Sequence, residues 1–228
     1  MKKPFIILVF LFSTSISSLV WGADFQKGLD AAIRGNYATA LEEWMPLAKG
    51  GNPDAQFNIG LMYFKGRGVP QDYRETMRWY RLAAEQGFAQ AQYNLGVMYV
   101  KGQGVPKDYK EAERWYRLAA EQGYIQAQYL LGMLYETGDE GIPQDDLEAV
   151  KWYQSAAEQG HAQAQFNFGL MYFQGQGVPK DYKEAFKWFR LSAEQAHPPA
   201  QVMLGGAYLE GAGVKKDLII AYMWFNIA

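Results

Sequence analysis

The stretch AQYNLGVMYVKGQGVPKDYKEAERWYRLAAEQG, Ala91 to Gly123, decides how the whole chain is read. Its central run GQGVPKDYKEA, Gly102 to Ala112, recurs letter for letter from Gly175 to Ala185. A G-x-G run carrying a lysine invites comparison with a phosphate-binding loop. Pro106 argues against it, because proline has no N–H to give a phosphate cradle. No strand pattern precedes the glycines and no Lys-Ser/Thr follows them. A turn between two helices explains the same letters. Gly102 supplies the left-handed residue that ends a helix, and Gly104 permits a second unusual dihedral. Asp108, three residues before Glu111, is an acidic variant of the capping box that opens the next helix. The D-x-x-E spacing returns at Asp72/Glu75, Asp145/Glu148 and Asp181/Glu184.

Working outward, the chain divides into units 51–86, 87–122, 123–159 and 160–195, with an incomplete fifth unit at 196–228. A tryptophan column runs through Trp79, Trp115, Trp152, Trp188 and Trp224. Residues 23–50 form an N-terminal half-repeat or cap, in which Gly35 to Gly50 reads as the second half of a unit. Trp44 takes the column later held by Tyr80. Such internal periodicity is the mark of a stacked array.

Each unit holds two helical segments. In the first, Ala55, Ile59 and Met62 make one apolar stripe, and Phe57, Leu61 and Phe64 make a second on the other side. A helix apolar on two sides needs neighbours on two sides. In the second, Tyr73, Thr76, Met77, Tyr80 and Ala84 oppose a polar stripe of Arg74, Arg78, Arg81 and Glu85, so this helix forms an outer layer. A glycine column, Gly60, Gly96, Gly132, Gly169 and Gly205, sits inside the first helices. Glycine there costs on the order of 1 kcal/mol against alanine, so its recurrence predicts a close helix approach. The expected fold is an all-α, α/α solenoid.

The Ala91–Gly123 unit resembles the Sel-1-like repeat, a relative of the tetratricopeptide repeat, through A-x-x-x-L-G-x-M-Y, then G-x-G-V, D, A, W-Y and A-A-x-x-G. Five consecutive units carry most of this pattern. The third, with YETGDEGIPQDD, departs from it by one extra residue and an acidic loop. The resemblance implies a right-handed superhelix with the first helices on its concave face. It also implies a protein-interaction or assembly role, often in bacterial envelope proteins. One branch of the family carries a cysteine pair in each repeat and is linked to β-lactam binding; this chain has no cysteine.

Bulk composition narrows the setting. The 228 residues are 49% apolar and 20% charged with a net charge of −2. This is a globular balance with no basic tract for nucleic acid. Lys2 and Lys3, the apolar Pro4–Phe12 run and the Val20-Trp21-Gly22 site predict a signal peptide at 1–22, cleaved to release a periplasmic or secreted chain. An uncleaved N-terminal anchor is the alternative; the mature chain is expected to have no integral span. Without cysteines, stability has to come from packing alone.

Candidate sites follow from the columns. Phe57, Tyr93, Tyr129 and Phe166, with Val202 in the fifth unit, form a ladder, followed one turn on by Leu61, Val97, Met133 and Leu170. This face is read both as inter-repeat packing and as a groove that grips a partner protein or peptide, since aromatics give large contact area at low entropy cost. The flanking Gln90, Gln126, Gln163, Asn58, Asn94 and Asn167 are read as hydrogen-bonding partners for a bound backbone. His161 and His197, in one column, read as loop residues rather than zinc ligands. The acids Glu136, Asp139, Glu140, Asp145 and Asp146 read as a solvated loop with a helix cap. Ser155 and Ser192 read as packing residues without a base in reach. No cofactor or metal is expected. The function expected is a non-enzymatic interaction scaffold; the alternative is an envelope enzyme or glycan-associated factor acting on peptidoglycan or β-lactams. The last helix is expected to stop about one turn early, at Ala228 in the Ser192 column. That would leave Leu204, Tyr208, Tyr222 and Phe225 partly uncovered, through truncation or for a covering partner.

Overall fold

The computed structural model describes residues 22–228, so the expected signal segment, apart from Gly22, lies outside the described residues. The chain runs through α1 (Phe25–Ile33), α2 (Tyr37–Lys49), α3 (Pro53–Lys65), α4 (Tyr73–Glu85), α5 (Ala89–Lys101) and α6 (Tyr109–Glu121). It continues through α7 (Ile125–Thr137), α8 (Asp146–Glu158), α9 (Ala162–Gln174), α10 (Tyr182–Glu194), α11 (Pro198–Glu210) and α12 (Leu218–Ile227). Each helix packs mainly on its two neighbours in the chain, as a solenoid requires. Among the described residues there is no strand, only an isolated bridge between Asp139 and Ile142 in the longer loop of the third unit.

Residues 23–50 correct the sequence reading. They form a whole hairpin, α1 and α2, joined by a short turn that lacks the G-x-G-V-P letters. Gly28 and Trp44 already carry the glycine and aromatic columns there, because a Cβ on Gly28 would lie 2.5 Å from the Trp44 indole nitrogen.

The glycine column has a specific partner. The flat face of the outer helix's aromatic lies on the inner helix where side chain is missing. A Cβ on Gly60 would sit 2.6 Å from the Tyr80 ring, one on Gly132 2.5 Å from Tyr153, and one on Gly169 2.8 Å from Phe189. Tyr80, Tyr153 and Phe189 are among the most buried large side chains. The abundance of aromatics is thus largely a packing requirement.

The loops bear out the turn reading and correct the cap. Gly66, Gly102, Gly175 and Gly211 end their helices with positive φ, and Gly104 must be glycine because a Cβ would meet the Tyr73 carbonyl at 2.6 Å. Asp72, Asp108, Asp145, Asp181 and Asp217 each accept the first free N–H groups of the following helix. The reciprocal half of the capping box is not used. The Asp108 N–H donates instead to the Tyr99 carbonyl (3.2 Å), and Asp72, Asp145 and Asp181 donate likewise to Tyr63, Tyr135 and Tyr172. The released glutamates turn to the basic residue three positions on, pairing Glu75 with Arg78, Glu111 with Arg114, Glu148 with Lys151 and Glu184 with Lys187.

A glutamine clasp unread in the sequence ties successive units. Gln92 donates to the Ala84 carbonyl (3.0 Å) at the end of the preceding outer helix, and its own carbonyl accepts from Gln122 (2.7 Å). Gln56, Gln128 and Gln165 repeat the pair of bonds with Ala48 and Gln86, Ala120 and Gln159, and Ala157 and Gln195. All four are buried, and buried amides of this kind have to be satisfied. At the end of the chain Leu204 is fully buried, contrary to expectation, because α10 covers it. Tyr222 and Phe225 are exposed by 70% and 43%.

Candidate functional site

The first helices of the units, α3, α5, α7, α9 and α11, set their ladder residues in a line because equivalent positions repeat once per hairpin. The structure gives each ladder ring two neighbours. Phe57 stacks on Tyr80 at 5.3 Å and meets Phe88 at 5.2 Å; Tyr93 meets Tyr116 at 6.1 Å and Tyr124 at 5.2 Å. Tyr129 lies 6.0 Å from Tyr153 and 4.7 Å from His161, and Phe166 lies 5.8 Å from Phe189 and 5.1 Å from His197. The packing role is therefore real. Phe57 is buried, while Tyr93, Tyr129, Phe166, Leu61, Val97 and Leu170 keep part of their surface open and Met133 is 40% exposed. Burial pushes the Tyr93 and Tyr129 phenols above their usual range.

Recesses open between successive first helices along this face. One, of about 320 Å³, lies between the second and third units, walled by Tyr93, Val97, Tyr116 and Met133, with Lys101 and Asp139 at its edge. Another, of about 360 Å³, includes Leu61 and Asn58 with Lys65 and Arg67. A third, of about 420 Å³, lies between the fourth and fifth units.

The polar flanks are more committed than the sequence implied. The Asn58 amide donates to the Asp54 carbonyl (2.8 Å) and the Asn167 amide to the Tyr153 hydroxyl (2.9 Å). Gln90, Gln126 and Gln163 are exposed. The histidines are not loop residues. Each occupies a helix N-cap, where His161 Nδ1 accepts from the Ala164 N–H (3.2 Å). They take the column held by Phe88 and Tyr124 in earlier units, which is why each meets a ladder ring. Burial holds both below the usual 6.5.

The other candidates resolve into structural roles. Asp145 caps α8, and Glu136 accepts from the Tyr153 hydroxyl (2.5 Å). Ser192 is buried and donates to the Ala162 carbonyl (2.7 Å); Ser155 is half-buried and bonds back to Lys151. Among the described residues no three His, Asp or Glu side chains gather as a metal site needs. No described helix is long and apolar enough to cross a membrane.

A Sel1 repeat model matches residues 53–88, 89–124, 125–161, 162–197 and 198–228. The chain belongs to the Sel1 repeat family. Its fold is similar to that of a Sel1 repeat protein from Oxalobacter formigenes, with TM-score 0.85 and 38% identity, covering 90% of this chain and 84% of that one. It is similar too to a protective antigen of uropathogenic Escherichia coli with an SLR fold, with TM-score 0.84 and 36% identity over 90% of this chain, which spans 45% of that longer chain. No curated protein matches the sequence. Sel1 repeat proteins commonly mediate protein–protein interaction and are typically non-catalytic.

Proposed function

We propose that this Sel1 repeat protein is a non-catalytic scaffold of the bacterial envelope that holds a segment of a partner protein in the groove along its first helices. The observation that carries this reading is the unbroken apolar line from Leu61 through Tyr93, Val97, Tyr129 and Met133 to Phe166 and Leu170. It stays partly open although burying it would stabilise the chain by roughly 25 cal/mol per Å². Aromatic surface of this kind anchors partner segments. Export is supported by the Lys2-Lys3 start, the Pro4–Phe12 apolar run and the Val20-Trp21-Gly22 site.

The test places a photo-crosslinking residue at Met133 in the groove and, separately, at Leu118 on an outer helix. Crosslinking from Met133 alone, abolished by Val97→Lys with the melting temperature unchanged, is the expected result. Crosslinking from Leu118 alone refutes the groove. Intact mass starting at Ala23 checks export, and a retained Met1 in exported protein refutes it.

A further inference from the structure

The fifth unit breaks the groove pattern in three adjacent columns at once. Where earlier units place Phe57, Tyr93, Tyr129 and Phe166, α11 has Val202. Where they place Leu61, Val97, Met133 and Leu170, it has Gly206. Where they place Met62, Met98, Leu134 and Met171, it has Ala207. Each replacement removes bulk, and the neighbouring helices do not close the gap. A Cβ built on Gly206 meets nothing within 4 Å, whereas one on Gly205 beside it would strike the Phe225 ring at 2.5 Å. Gly205 is thus the packing glycine, and Gly206 is a glycine with no packing reason. Val202, Gly206 and Ala207 line a recess of about 420 Å³, where the counterpart between the second and third units is about 320 Å³. Its walls are rings, Phe173, Tyr182, Phe186, Phe189 and Phe225.

We propose that this recess is an anchor socket that takes one aromatic side chain of the partner polypeptide, with a basic residue beside it. The proposal rests on the groove reading above and names what that groove selects. The chain itself shows what fits: four units fill this position with their own ring and their own aliphatic side chain, and the fifth leaves the place to another molecule. Ring against ring is favoured in offset and edge-on arrangements, which walls of several orientations supply. The charge follows from Glu210, which stands at the mouth in the column of Lys65, Lys101, Thr137 and Gln174. It has no ion-pair partner among the described residues. The nearby Lys180 is drawn over the Phe173 and Tyr182 rings, 6.0 and 4.9 Å from their centres. A partner cation beside the inserted ring therefore meets an unpaired carboxylate.

The experiment follows the Met203 methyl resonance, which reports from the socket wall. The probes are three acetylated, amidated peptides: Gly-Gly-Phe-Lys-Gly-Gly, the same with Ala for Phe, and the same with Asp for Lys. The expected result is a saturable shift with the Phe-Lys peptide and at least tenfold weaker binding of the other two. Gly206→Leu, the residue of the first and fourth units at this column, should abolish the shift without lowering the melting temperature, and Glu210→Lys should reverse the Lys/Asp preference. Equal binding of the Ala peptide, or a shift that survives Gly206→Leu, overturns the socket. A preference unchanged in Glu210→Lys overturns its basic neighbour. Crosslinking from Met133 is read separately, so a socket that fails while that crosslink persists leaves the groove standing, and the converse result condemns the groove alone.

Discussion

Replacing Gly132 by alanine should destabilise the protein, although alanine is the better helix former. Propensity alone predicts a gain of about 1 kcal/mol. The structure opposes it. The new methyl would lie 2.5, 2.7 and 2.9 Å from three carbons of the Tyr153 ring, where carbon contacts settle near 3.5–4.0 Å. The ring would have to recede by about 1 Å. Tyr153 is fully buried, its hydroxyl donating to Glu136 and accepting from Asn167. Overpacking costs about 1–3 kcal/mol, and loosening the bond to a carboxylate adds about 1.5–3 kcal/mol where it breaks outright. Set against the propensity gain, the net loss is roughly 0–2 kcal/mol with that bond kept and about 1.5–5 kcal/mol with it broken. Gly169→Ala should cost less, because its ring, Phe189, starts 2.8 Å away and has no hydroxyl to hold it. Gly206→Ala meets open space and should gain the full propensity term. Urea unfolding followed by far-UV circular dichroism should rank the stabilities Gly206→Ala, wild type, Gly169→Ala, Gly132→Ala. A Gly132→Ala protein as stable as wild type would refute the claim that the aromatic ring sets this column.

Gln128→Leu should cost about 1–3 kcal/mol by leaving the Ala120 carbonyl without its donor; hydrogen exchange that does not accelerate at the α6–α7 junction would count against the clasp. Asp181→Ala should lose about 1 kcal/mol as a lost cap, whereas Glu184→Ala, which breaks only an exposed pair with Lys187, should lose no more than about 0.5 kcal/mol; equal losses in urea melts would restore the full capping box. His161 and His197 are held by burial below the usual 6.5, so the unfolded chain takes up protons first as pH falls. Stability is fully present above about pH 7 and is lost as pH drops through 6.5 toward the lower folded values. Only burial shifts His161: its ring faces Tyr129, and protonation removes the acceptor that caps Ala164. His161→Asn keeps a cap and should reduce the pH dependence to the share of His197; a His161 imidazole titration at or above the usual 6.5 by NMR contradicts this.

Most of the frame was legible in the sequence because it repeats. Gly60 and its equivalents announced a close approach, and Gly102 with Asp108 announced a turn. What touches the glycine was not legible, since the Tyr80 column sits in the other helix of the hairpin and only packing brings the two together. The Gln56 column escaped notice for a different reason. A glutamine beside a buried alanine reads as solvent-facing, and the carbonyl it satisfies belongs to the previous helix's last turn, which periodicity does not display. Its signal was the paired recurrence of Gln56 with Gln86, and of Gln92 with Gln122. The histidines misled because one chain shows only two of them, in a column otherwise held by Phe88 and Tyr124, and an aromatic reading of that column required the ladder contacts. The third unit's extra residue announced a longer loop but not its bridge between Asp139 and Ile142.

The frame and the groove draw on different columns, and that separation bears on specificity. Glycine against aromatic, the glutamine clasp and the aspartate cap fix the spacing of the hairpins; the aromatics of that frame, such as Tyr116 and Phe225, also form the back wall of the recesses. The groove columns vary more along this chain than the frame columns do. The ladder runs Phe57, Tyr93, Tyr129, Phe166, Val202, and the column one turn on ends at Gly206. At the groove edge the charge passes from Lys65 and Lys101 through Thr137 and Gln174 to Glu210. A partner lying along such a groove meets cations at one end and, at the other, a carboxylate beside an empty socket. Binding in the reversed direction would set like charges together and leave the socket unfilled, which makes the two directions unequal in energy. On the proposed groove reading, the orientation of the partner is set by the columns that vary along the chain.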